Sequence, residues 1–171
     1  MTGTLTIILS FASYAFVILA MFRLFRINYF NPIVKIFATY LEPISKSIFF
    51  FLNPLLAALA LAFLLQFISF YLAYSTGYEP LTLLFISIVD VINSCFRILF
   101  YCVIGSVILS WVAPGNNHPL LQVVEEMSGA ILQPIRKFVP PMGGLDFTPI
   151  IGLMLLNLIN TSFIQIISSM V

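Results

Sequence analysis

Residues 47–78 read SIFFFLNPLLAALALAFLLQFISFYLAYSTGY, without a single Lys, Arg, Asp or Glu. A helix that crosses the hydrocarbon core of a bilayer needs about 20 predominantly apolar residues. Residues 53–75 supply one. Residues 1–22, 98–124 and 147–171 are equally free of charge. One span per stretch gives helices at 4–24, 53–75, 83–112 and 148–169, the third reaching back past Arg97 and Asp90. The whole chain has the same character: 61% of its residues are hydrophobic, 8% are charged and the net charge is +1. A soluble domain carries about 25% charged residues. The composition excludes a water-soluble globule, a disordered tail and a basic nucleic-acid binder, so no nucleic-acid contact is expected.

The first stretch lacks the basic leader and small-residue cleavage site of a signal peptide and reads as a retained span. Arg23, Arg26, Lys35 and Lys46 fall between the first two spans, and Arg136 and Lys137 between the last two. The turn between spans two and three holds Glu79 alone. Six of the seven basic residues therefore share one side, which the positive-inside rule makes cytoplasmic. Loops 25–52 and 113–147 then face the cytoplasm, and both termini face away.

The order of span, cytoplasmic segment and span occurs twice, over 1–75 and 81–171. Asn31-Pro32 opens the first segment and His118-Pro119 the second. Asn31 suits a helix N-cap and Pro32 the first helical turn; Asn117 or His118 suits the same place before Pro119. In 31–48 the apolar residues Ile33, Phe37, Tyr40, Leu41, Ile44 and Ile48 recur with helical spacing. In 119–138 Leu120, Val123, Val124, Met127, Ile131 and Ile135 do the same. Both segments read as amphipathic helices lying in the cytoplasmic interface, or as helices packed on the loop. Pro43 and Pro134 predict a kink or an end in each. The fold class is thus an all-α membrane protein, with four transmembrane helices in two tandem repeats, each with an interfacial amphipathic helix.

Ser110-Trp111, His118-Pro119, Pro134-Ile135-Arg136-Lys137 and the stretch Pro140-Pro141-Met142-Gly143-Gly144-Leu145-Asp146-Phe147-Thr148-Pro149 resemble the second half of the bacterial YggT family. Asn31-Pro32 and Pro43 resemble its first half. Gly129 and Ala130 stand where the family usually has Asp-Pro, and the first half lacks the basic pair, the double proline and the Gly-Gly-Asp. The resemblance implies an integral protein of bacterial inner or plastid membranes with no known enzymatic activity. Relatives are linked to osmotic or ion tolerance, to cell division and plastid nucleoid organisation, and to haem attachment in cytochrome b6 assembly. The resemblance implies an assembly or organising factor for other membrane components; the alternative is a small oligomeric channel or transport-linked protein in osmotic or ion balance.

Two groups of residues carry the functional expectations. The first is the loop of Pro134, Arg136, Lys137, Pro140, Pro141, Gly143, Gly144 and Asp146. Its prolines impose an extended step, its glycines permit a reversal, and Asp146 or Thr148 can cap the last span. Arg136 and Lys137 fit anionic headgroups or an acidic partner. The second group is intramembrane: Asp90, Asn93 and Arg97 share one face of span three, and Asn157 and Asn160 line span four. A charge at a helix centre costs about 2.5–3.5 kcal/mol on insertion scales. Counting back from Trp111 puts Arg97 roughly 8–9 Å inside the far interface. Arg97 reads as a snorkelling cation that pairs with Asp90 or meets Asn93, as part of a polar layer shared with span four, or as part of a water-filled ion path.

Cys102, Gly105, Ser106 and Ser110 on span three, and Ala58 and Ala62 on span two, suit close packing, within the chain or as a homo-oligomer face. Cys95 and Cys102 lie two turns apart, too far to bridge within one helix, and without CxxC spacing. His118 is the sole histidine and reads as a helix-start residue. No metal set, catalytic triad or phosphate loop is visible, so no cofactor is expected. The expected partners are membrane lipids and other membrane proteins.

Overall fold

The computed structural model describes residues 2–112, 118–139 and 146–168. Six helices follow one another: α1 (Thr2–Leu24), α2 (Pro32–Ile48), α3 (Pro54–Tyr74), α4 (Pro80–Val112), α5 (Pro119–Arg136) and α6 (Thr148–Ser168). No strand occurs among the described residues. Four of the helices, α1, α3, α4 and α6, are long and apolar enough to cross a membrane. The chain is an all-helical membrane protein.

Proline marks most of the helix starts. Pro32, Pro54, Pro80 and Pro119 each occupy a first helical position, where the missing N–H has no intrahelical partner to lose. The residue before proline often supplies the cap. Asn31 Oδ1 accepts from Ile33 N at 2.9 Å, Asn53 Oδ1 from Leu56 N at 2.8 Å, and His118 Nδ1 from Leu120 N at 3.2 Å. His118, rather than Asn117, is thus the cap of α5; Asn117 lies outside the described residues. Because Pro80 starts α4, that helix begins earlier than its apolar run suggests and reaches 33 residues. At 1.5 Å per residue it is about 50 Å long, well beyond a hydrocarbon core of about 30 Å.

The tightest pairing is antiparallel, between α1 and α3. Ala58 and Ala62 have no exposed surface and pack in one core with Val17 and Ala20, each 1% exposed. Ser13 Oγ donates to the Ala62 carbonyl at 2.8 Å, and the hydroxyls of Ser10 and Ser69 stand 2.9 Å apart. The alanines of α3 therefore serve packing within the chain. So does Gly105 of α4, where an added Cβ would come within 3.2 Å of Val124 on α5. Cys102 Sγ lies 3.9 Å from Met127 Sδ, also on α5. The small residues of both spans thus face partners inside the molecule, with Ser106 and Ser110 at the edge of the α4–α5 contact.

The two short helices differ. In α2, Val34 and Ser45 are buried, while Ile36, Tyr40, Ile44 and Ile48 lie exposed at four-residue spacing beside Lys35 and Lys46. The apolar residues of α2 therefore divide between an inner face and an outer one. In α5 the apolar side turns mostly inward: Val123, Met127 and Leu132 are buried, Leu120 alone of its stripe is exposed, and Glu125, Glu126 and Gln133 face out. Pro43 does not end its helix, since α2 runs on to Ile48; Pro134 stands in the last turn of α5. Span α6 is peripheral and packs chiefly on α4 and α5.

Candidate functional site

The intramembrane residues come together in a groove between α4 and α6. It has a volume of about 260 Å³ and is lined by Asn93, Phe96, Arg97, Tyr101, Asn157 and Asn160 among others. Asn160 Nδ2 donates to Asn93 Oδ1 at 2.9 Å, a side-chain bond across two spans. Asn160 Oδ1 is buried and has no partner among the described residues. Asp90 does not line the groove but faces Arg97, with Oδ1 at 3.8 Å from Nη2. The guanidinium also lies 5.8 Å from the ring centre of Tyr14 on α1. Asn160 stands about 18 Å along α6 from Thr148, which puts this layer near the middle of the span.

The loop residues converge only in part. Arg136 grips one oxygen of Asp146, with Nη2 at 2.8 Å and Nε at 3.1 Å. Oδ1, the other oxygen, accepts from the Thr148 backbone at 2.9 Å and from the Thr148 hydroxyl. Partial desolvation pushes the Asp146 carboxyl up, but the two Thr148 hydrogen bonds and Arg136 outweigh it and hold the group below the usual carboxylate range. Asp146 is thus both the cap of α6 and the partner of Arg136. Lys137 follows the end of α5 and is exposed, as is Pro134. Pro140, Pro141, Gly143 and Gly144 lie outside the described residues. A cleft of about 480 Å³ beside the ion pair is lined by Ser106, Ser110, Glu125, Ser128 and Gly129.

Two features escape a reading of the sequence alone. Glu42 of α2 pairs with Arg23 at the end of α1 and with Lys46 at 2.9 Å. Desolvation raises the Glu42 carboxyl, yet hydrogen bonds from Arg23 and Lys46 leave it below its ordinary value. Arg23 also lies over the Tyr29 ring at 4.3 Å. The four-residue spacing of Glu42 and Lys46 is a visible signal; the Arg23 contact, from another helix, has none. The second feature joins the two halves. Asn31 Nδ2 donates to the Pro119 carbonyl at 2.8 Å, and Asn28 N donates to Glu126 Oε2 at 2.8 Å. The dipeptides Asn31-Pro32 and His118-Pro119 thus meet, and the starts of α2 and α5 form one polar junction.

A family model described as CCB3/YggT matches residues 85–167, which take in most of α4, all of α5 and most of α6. An uncharacterized protein of Pseudomonas aeruginosa is 35% identical over 157 residues, covering 86% of this chain and 80% of that protein. The uncharacterized protein YggT of Escherichia coli K12 is 24% identical over 176 residues, covering 98% and 93%. An uncharacterized protein of Haemophilus influenzae is 26% identical over 149 residues, covering 85% and 81%. No solved structure matches the chain. With its four spans and this match across α4 to α6, the chain belongs to the CCB3/YggT family.

Proposed function

We propose that the chain is a non-enzymatic organising factor of the bacterial inner membrane, which docks other membrane proteins on its cytoplasmic side. The observation that carries this reading is the junction of α2 and α5. Asn28, Asn31, Pro119 and Glu126 tie the two short helices into one platform. Around it Lys35, Lys46 and Lys137 are exposed, together with Phe30 at 93%, Phe50 at 81% and Phe138 at 85%. Exposed aromatic rings beside basic residues suit the headgroup layer and the surfaces of neighbouring membrane proteins. In this reading the halves 1–75 and 81–171 are two versions of one unit that have diverged. The first keeps an apolar outer stripe for lipid, and the second turns an acidic face outward.

The rival reading, a small channel in osmotic or ion balance, draws on the polar groove of Asn93, Arg97, Asn157 and Asn160. That groove opens sideways between α4 and α6, whereas the α1–α3 side is closed by small apolar residues. Cross-linking and affinity capture from native membranes separates the two. The double variant Lys137→Glu, Phe138→Ser changes two exposed residues. It is expected to lose a set of partners that the unaltered chain captures. The same partners captured by both chains, or ion flux through the purified protein in liposomes that Arg97→Leu alters, overturns the organising role.

A further inference from the structure

Arg97 is left with unmet demands inside the membrane. Its guanidinium carries five N–H donors, and none makes a hydrogen bond among the described residues. The nearest carboxylate oxygen, on Asp90, is 3.8 Å away, beyond hydrogen-bonding reach. The side chain of Arg97 is 44% exposed and that of Asp90 29%. Beside them Asn157 and Tyr101 are exposed, and Asn160 Oδ1 is buried without a partner. Acyl chains offer no acceptor at this depth. Lipid headgroups lie beyond direct contact, since Arg97 stands roughly 25 Å along α4 from Pro80 and roughly 22 Å from Val112.

We propose that a second copy of this chain covers the groove, the two copies being related by a two-fold axis along the membrane normal. Such an axis keeps every residue at its own depth. It therefore brings Asp90 and Asn157 of the second copy to the level of Asp90 and Asn157 of the first. Arg97 reaches toward Asp90 of its own helix, and with α4 packed close to the axis Asp90 of the second copy comes within the same reach. Two aspartates and two arginines then alternate in a ring with no net charge, and each guanidinium gains carboxylate and amide acceptors. The rest of the covered surface is apolar, as a lipid-facing helix requires: Met154 and Leu158 on α6 are 68% and 63% exposed. The chain thus holds both halves of its own complement. The groove stands apart from the α2–α5 platform, so this proposal and the organising role fail independently.

Disulfide trapping in native membranes tests it. In a background with Cys95→Ala and Cys102→Ala, Asn157→Cys and Tyr101→Cys are expected to form covalent dimers on mild oxidation. Phe11→Cys, on the exposed face of α1, is not. Adding Arg97→Leu to Asn157→Cys is expected to lower the dimer yield about tenfold, the scale of a lost polar contact between membrane helices. Leucine suits a span, so a drop in yield at unchanged protein level reports association rather than folding. Monomer at both groove positions, equal trapping at Phe11→Cys, a cross-link only to a different protein, or a yield unmoved by Arg97→Leu overturns the proposal.

Discussion

Arg26 has φ of 55°, the one positive value at a non-glycine position among the described residues. The cause is the end of α1. Ile27 N donates to the Phe22 carbonyl at 3.0 Å, and Arg26 N to the Arg23 carbonyl at 3.4 Å. This closing pattern places its penultimate residue in the left-handed region, where glycine is usual. Phe22 and Ile27, 2% and 3% exposed, complete the motif with an apolar contact. Arg26→Gly is expected to stabilise the folded chain by about 1 kcal/mol, read as a higher midpoint in detergent denaturation; a lower midpoint refutes the strain. Glu42 and Asp146 set the acid limit at the same scale. Their folded carboxyls titrate below the unfolded values of about 4.3 and 3.9. The stability they add is complete above those values and is lost as pH falls through the folded ones. Thermal melts should fall below about pH 4, and Glu42→Gln should melt lower at pH 7 with a flatter acid slope. An acid slope unchanged in Glu42→Gln contradicts the depression.

At the scale of elements, the spans were legible because charge is so scarce. Four uncharged stretches can hold four crossing helices and little else. The boundaries were legible where Asn or His precedes Pro; α4 starts three residues before 83, because Pro80 is its first helical residue. Pairing between helices was the hidden part. Small residues announce that two backbones approach, but not which two; Ala58 and Ala62 meet α1, while Gly105 meets α5. Gly152 carries no signal in the sequence at all. An added Cβ there would stand 2.8 Å from Leu132 Cδ2 and 3.5 Å from Ile135 Cδ1, so its lack of a side chain lets α5 lie on α6. Gly152→Ala meets only the tip of Leu132, which can swing aside. Gly152→Leu meets both residues. The leucine variant should lose about 1–3 kcal/mol and the alanine variant clearly less, by denaturant midpoint. Equal midpoints would show that α5 and α6 do not pack as described.

Across the whole molecule, the candidate site was legible as a list of residues but not as an arrangement. Asp90, Asn93 and Arg97 share a face by spacing alone, and Asn157 and Asn160 share another. That the two faces meet at Asn93 and Asn160 follows from how α6 leans on α4, which no local pattern encodes. Arg136 and Lys137 looked alike in sequence. Both stay exposed, but Arg136 is held in an ion pair, because Asp146, ten residues on, turns back to meet it. The junction of Asn31 with Pro119 is hidden for the same reason, since it joins residues 88 positions apart. That junction matters most to the organising role, which requires α2 and α5 to lie on one cytoplasmic face. Labelling of single cysteines tests this directly. In a background with Cys95→Ala and Cys102→Ala, Lys46→Cys on α2 and Lys137→Cys after α5 are both exposed positions. Both should react with a membrane-impermeant maleimide only after the inner membrane is opened. Reaction of either one in intact spheroplasts would contradict a shared cytoplasmic platform.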